Sequence, residues 1–282
     1  MARRLVDLSV LVENTAGEPM RINVKRLDHR RGARRFARRA LWPPGGSVWR
    51  KVKSLARLAL GKGYRLRASD FPDAQFLTLD TVTMPTHMGT HIDAPIHYGE
   101  LSEGKPSRSV EQLPLEWFLA PALRLDLRHK IPGSSISIAD LEQAEQATGV
   151  QIAAGVIVLI WTGADKLWGS PRYFSDAPGM SREATQWLVE RGVKVIGTDT
   201  YGFDRPFPVM LRDFFATGDR SHLWPSHFYG REKEYIQIER LCNLESIPAS
   251  GFELACLTGA SLFPQSPGRN EKDTDCTEGG SH

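Results

Sequence analysis

Within THMGTHIDAPIHYGE, residues 86–100, three imidazoles and a carboxylate fall in eleven positions: His87, His91, Asp93 and His97. Imidazole nitrogen and carboxylate oxygen are the usual donors to zinc, manganese and related ions. Gly89 opposes a well-formed helix between the first two histidines, so a loop has to converge these side chains. Ala94-Pro95 is expected to hold the chain extended before His97. A histidine beside a metal but not bound to it would serve as an acid or base, because its ordinary pKa is about 6.5. The alternative is a hydrogen-bonded polar loop with no ion. Four such groups at this spacing, with Gly and Pro between them, weigh toward the metal site.

Other chemistry-bearing residues are more ambiguous. Asp199 and Asp204 close the stretch KVIGTDTYGFD, at a strand end of the kind where α/β sites form. They either orient histidines or cap the strand. Trp161, Trp168, Tyr201, Phe203 and Phe207 are candidates to line an aromatic substrate pocket, with core packing as the competing role. His227, taken alone, reads as a structural loop histidine.

The elements that must position these groups alternate. LVDLSVLV (5–12), QFLTLDTVTM (75–84), ALRLDL (122–127), GVIVLIWTG (155–163), KVIGTDTYGFD (194–204), YIQIERL (235–241) and FELACLTG (252–259) read as strands. Helices are expected after Ser137, ending at Gly149, and after Ser181, ending at Gly192. Near the N-terminus, Ala33, Phe36, Ala37, Ala40 and Leu41 recur at helical spacing opposite arginines. Trp42–Gly46 should break that helix, Ser47 should cap a second one, and Gly61 should end it.

Length and composition set the outer bounds. A chain of 282 residues, 41% hydrophobic, suits one catalytic domain over 1–262, followed by a polar, disordered tail over 263–282. No apolar run approaches the ~18 residues of a membrane span. Asp7 interrupts the apolar start, so no signal peptide is expected. Cys242, Cys256 and Cys276 lack metal-type spacing and read as reduced thiols of a cytoplasmic protein. The basic insert, about 21–67, has sixteen Lys or Arg against Asp28 alone, hence +15. Because the whole chain carries +3, the remainder carries −12.

His-x-Gly-Thr-His-x-Asp-x-Pro-x-His, here His87 to His97, resembles the signature of the metal-dependent cyclase family, which includes bacterial kynurenine formamidase and isatin hydrolase. The likeness extends through TGADKLWG and VIGTDTYGFD to PSHFYGREKEYIQIERLCNL. It implies an α/β fold of the swivelling β/β/α type, a mixed sheet flanked by helices. It implies that His87, His91 and Asp93 bind metal and that His97 acts as base. A second ion would be bridged by Asp93 and held by His227 and Glu239, twelve residues apart; His222 has the wrong spacing. One or two ions of zinc or manganese are expected. The basic helical insert and the YGFDRPF segment are similar to longer members found near aromatic polyketide pathways, where antibiotics are made. After FELACLTG the chain departs from the family, which puts a last strand in doubt.

Two enzymatic readings follow: hydrolysis of a small cyclic or aromatic amide, or intramolecular ring closure of a polyketide. A third is a non-catalytic anion-binding protein, in which the basic insert meets nucleic acid or an anionic membrane. A solvated basic face or a subunit contact weighs against it, and no nucleic-acid motif accompanies the charge. The partners expected are a small-molecule substrate, further copies of the chain in a dimer or tetramer, and a carrier protein in the cyclase reading.

Overall fold

The computed structural model describes residues 4–16, 18–41, 48–62 and 65–256. The described residues form two compact units, those within 20–85 and those within 4–19 and 86–256. No helix among the described residues is long and apolar enough to cross a membrane.

In the smaller unit β1 (Asn23–Leu27) precedes α1 (His29–Leu41) and α2 (Val48–Ala59), and β2 (Leu79–Thr83) closes it. The two helices stand where periodicity puts them. Ala33 and Ala37 are buried. Phe36 stacks on Phe76 at 4.5 Å and meets Phe71 edge-on at 6.0 Å. The breaking stretch Trp42–Gly46, the expected cap Ser47 and the side chains of Ala40 and Leu41 lie outside the described residues. β1 has no sequence forecast, because NVKRL is polar and exposed and shows no apolar alternation. It pairs antiparallel with β2, Asn23 opposite Thr83 and Leu27 opposite Leu79. The strand expected within 75–84 therefore belongs to this unit, and the unit runs past the insert boundary at 67.

The larger unit comprises β3 (His91–Asp93), α3 (Pro95–Tyr98), β4 (Leu119–Asp126), α4 (Ile138–Thr148), β5 (Ile157–Trp161), α5 (Arg182–Glu190), β6 (Val195–Thr198), α6 (Phe207–Thr217), α7 (Pro225–Tyr229), β7 (Ile236–Glu239) and β8 (Phe252–Ala255). Its sheet has the order β8-β4-β5-β6-β7-β3. β4 to β7 are parallel, and the edges β3 and β8 are antiparallel to their neighbours. This is the mixed sheet flanked by helices that the resemblance implies. Central parallel strands are covered on both faces, which is why β5 is apolar at every position. Val158 and Ile160 pack with Leu141 of α4 and Leu188 of α5, while Ile157, Leu159 and Trp161 face the opposite layer. Ser137 and Asp140 form a capping box on α4, Gly149 closes it, and Ser181 caps α5.

Leu5–Val12 does not form the expected strand; one bridge joins Ser9 to Leu241. The outer edge of β7 is already taken by β3, so this segment reaches only the residues beyond it. The Cys242 N–H donates to the Leu8 carbonyl at 2.9 Å. Cys242 and Cys256 are free thiols. The expected tail and any strand beyond β8 lie outside the described residues.

Candidate metal centre

The chain reaches His91 through a turn that only glycine suits. Gly89 has φ +65°, and a Cβ there would meet Val12 Cγ2 at 2.8 Å. The next residue, Thr90, fixes the turn: its hydroxyl donates to the Arg240 carbonyl at 2.5 Å and accepts from the Val10 N–H at 2.9 Å. β3 then runs antiparallel to β7 with His91 opposite Glu239 and Asp93 opposite Gln237. Side chains alternate along a strand, so His91, Asp93 and Glu239 share one face of the sheet. Pro95 does not hold the chain extended. It occupies the first turn of α3, where its missing N–H costs nothing, and this one turn swings His97 back toward Asp93.

Five predicted residues converge around the Asp93 carboxylate, which is 1% exposed. His87 Nδ1 lies 3.1 Å from Oδ1, and His91 Nε2 lies 3.8 Å from the same oxygen. His97 Nε2 and His227 Nε2 lie 3.9 and 4.0 Å from Oδ2. Glu239 Oε2 is 3.5 Å from His91 Nε2, and its Oε1 is 3.8 Å from His227 Nε2. Two sets of three donors sit close enough to grip one ion each: His87, Asp93 and His97, and His91, Asp93 and Glu239. Asp93 belongs to both. His97 thus sits within ligand range.

The outer contacts aim these groups inward. His91 Nδ1 is held by the Gly89 carbonyl at 2.9 Å, which turns Nε2 to the centre. Asp204 caps α7 through the Ser226 and His227 amides and holds His227 Nδ1 at 2.6 Å. Such a carboxylate–histidine pair fixes the tautomer and direction of a ligand. The Phe203 N–H donates to Glu239 Oε1 at 2.8 Å, and the Tyr98 hydroxyl donates to the Asp93 carbonyl at 2.9 Å.

Asp199 lies elsewhere. It accepts from Thr162 N–H, Thr162 Oγ1 and Gly163 N–H, so its contacts are those of a strand-end cap. Burial pushes its carboxyl up to about 6.

His91 Nε2 and both Asp93 carboxylate oxygens are buried without a hydrogen-bond partner. Leaving such atoms unpaired is costly, and all three are electron-pair donors facing further donors. That is what a divalent cation requires, so the residues fit the metal that the signature implies. Part of the titration pattern agrees. Burial lowers His91 to about 4 and also lowers His97, leaving both imidazoles neutral. Burial opposes ionisation of Asp93, yet His87, whose Nδ1 lies 3.1 Å from it, leads the contacts that hold the carboxyl low. Burial and the Asp93 charge push Glu239 up to about 8. His227 rises to about 9, because Asp204 outweighs the desolvation that acts against it.

A cavity of about 430 Å³ opens beside this centre, with His227 and Asp204 in its wall. Tyr201, Phe203 and Phe207 line it. Trp161 is not among its lining residues: it is buried in the opposite core layer, with the Arg124 and Arg128 guanidinium groups over its ring at 4.3 and 3.8 Å. Tyr173, Phe174 and Trp224 also line the cavity and had no sequence forecast. Trp224, directly before Pro225-Ser-His227, was the legible member of that group.

The family model described as "Putative cyclase" matches residues 6–205. Over 126 residues the chain is 33% identical to a kynurenine formamidase of Erythrobacter litoralis, covering 44% of this chain and 49% of that protein. It is 25% identical over 191 residues to an isatin hydrolase of Roseibium aggregatum, covering 64% of this chain and 68% of that one. The chain thus spans about half the length of the first of these relatives. Isatin hydrolase A from Labrenzia aggregata, solved with benzyl benzoate, superposes with a TM-score of 0.61 at 20% identity, over 90% of this chain and 86% of that one. Isatin hydrolase A from Ralstonia solanacearum gives 0.59 at 22% identity, over 92% and 88%. At these identities the superpositions show a shared fold.

Proposed function

The chain belongs to the cyclase family, and on that premise we propose that it is a metal-dependent hydrolase of a C–N bond in a small cyclic or aromatic amide. The observation that carries this reading is the unpartnered donor set of His91 and Asp93, next to His227 in the wall of an aromatic cavity. His87, His91, Asp93, His227 and Glu239 would hold one or two ions of zinc or manganese. A bound ion supplies Lewis acidity toward the carbonyl and toward water. Tyr201, Phe203 and Phe207 would hold the flat substrate by stacking and exclude water from its far face. His97, neutral because burial lowers its pKa, would take the proton from the attacking water and return it to the leaving nitrogen. Relatives named for kynurenine formamidase and isatin hydrolase activity support the amide class.

The same groups allow a second chemistry. His97 could instead remove the proton α to a polarised ketone, and the resulting carbanion could close a ring on a second carbonyl. The aromatic lining favours this reading too, since a cyclised polyketide is flat. One experiment separates them. Chelator-stripped protein is reloaded with zinc or manganese and offered isatin, an N-formylated arylamine and a poly-β-ketone. Opening of either C–N substrate, absent in Asp93→Ala, supports hydrolysis. Ring closure of the poly-β-ketone alone overturns hydrolysis in favour of cyclisation.

A further inference from the structure

The two helices of the smaller unit use their apolar faces differently. The face of α1 is spent inside the unit, on Ala33, Ala37 and the Phe36–Phe76 stack. The face of α2 is not. Val48 and Trp49 are each 74% exposed, Val52 48%, Leu55 46%, and Leu60, just past the helix end, 71%. At roughly 100° per residue, Val48, Val52, Leu55 and Ala59 align, and Trp49, Ala56 and Leu60 widen the stripe. Lys53 borders the stripe beside Leu60, and Arg57 falls beyond it. Residues 48–62 contain no acid. On α1, Arg31, Arg34, Arg35, Arg38 and Arg39 border a concavity of about 560 Å³. The acid at the start of α1, Asp28, pairs with Arg31 at 3.3 Å.

An apolar stripe set among cations needs a partner that offers an apolar phase bounded by anions. Nucleic acid supplies phosphate but nothing for Val52 and Leu55 to enter. The same helix of a second copy would bring like charge against like. An anionic bilayer supplies both phases. We propose that residues 20–85 form a membrane-surface module. In it α2 lies in the interface plane with Val48, Val52, Leu55 and Leu60 toward the acyl chains and Trp49 at headgroup depth. The α1 arginines meet anionic headgroups. This assignment is independent of the chemistry at Asp93.

The test is flotation of the full chain with two kinds of vesicle, phosphatidylcholine alone and phosphatidylcholine with one quarter phosphatidylglycerol. Partitioning at least about tenfold stronger on the anionic vesicles is expected, weakening as salt rises. Val52→Glu/Leu55→Glu should abolish it while leaving the far-UV circular dichroism intact, because both side chains are already exposed. Arg35→Glu/Arg38→Glu should weaken it. Equal partitioning of the double glutamate variant, equal binding to both vesicle types, or no binding would each overturn the proposal. So would tighter binding to duplex DNA that ignores Val52 and Leu55. Self-association lost in Val52→Glu/Leu55→Glu, without vesicle binding, would assign the face to a second copy instead.

Discussion

Asp204 accepts the Nδ1 proton of His227 at 2.6 Å, although the two residues are 23 positions apart, one in the loop before α6 and the other on α7. The same carboxylate receives the amides of Ser226 and His227. One side chain therefore builds the first turn of α7 and points the imidazole at Asp93 and Glu239.

Removing that charge should loosen the donor set without dismantling the fold. Asp204→Asn keeps an acceptor for the Ser226 amide but loses the carboxylate that raises the His227 pKa. Metal affinity is expected to fall by about 10–100-fold, the usual effect of losing a ligand's orienting partner. Titration with zinc against a competing chelator measures it. Unchanged affinity would remove His227 from the metal site.

His97→Ala addresses the base. If His97 moves the proton and is not a ligand, the variant retains the full metal content and loses about 10²-fold or more in turnover. Elemental analysis beside kinetics separates the roles. Loss of one equivalent of metal would place His97 among the ligands, as its closeness to His87 and Asp93 also allows.

Metal uptake should release protons. Without an ion, His227 rises to about 9 and Glu239 to about 8, so at pH 7 this pair holds protons that a cation must displace. Release is expected to be large near pH 7 and to vanish as pH rises past about 9, where the groups are already deprotonated. Calorimetry in buffers of different ionisation enthalpy counts the protons. A count of zero at pH 7 would contradict this protonation pattern.

Gly89→Ala tests the turn before His91. Alanine would have to adopt φ +65° and displace Val12. A cost of at least about 1 kcal/mol is expected, read as a lowered Tm of the metal-free chain. Because the same turn aims His91, zinc affinity should fall as well. A variant as stable as the parent would mean that the loop rearranges freely.

The sequence alone determined the elements that close on themselves. Capped helices such as Ser137–Gly149, apolar runs such as Ile157–Trp161 and the histidine-rich loop all depend on near neighbours, so local periodicity and chemistry suffice to read them. His227 and Glu239 were within reach only through resemblance, because nothing local links residue 227 to residue 87. Tertiary structure decided the rest. β3 took the edge of β7 and left Leu5–Val12 with a single bridge. β2 paired with the polar β1 rather than joining the large sheet. Trp161 and Asp199, candidates by type and position, went to core packing and strand-end capping because those contacts were nearer. Strand pairing is set by competition among distant edges, and an edge can be occupied only once. No local pattern records which segment arrives there.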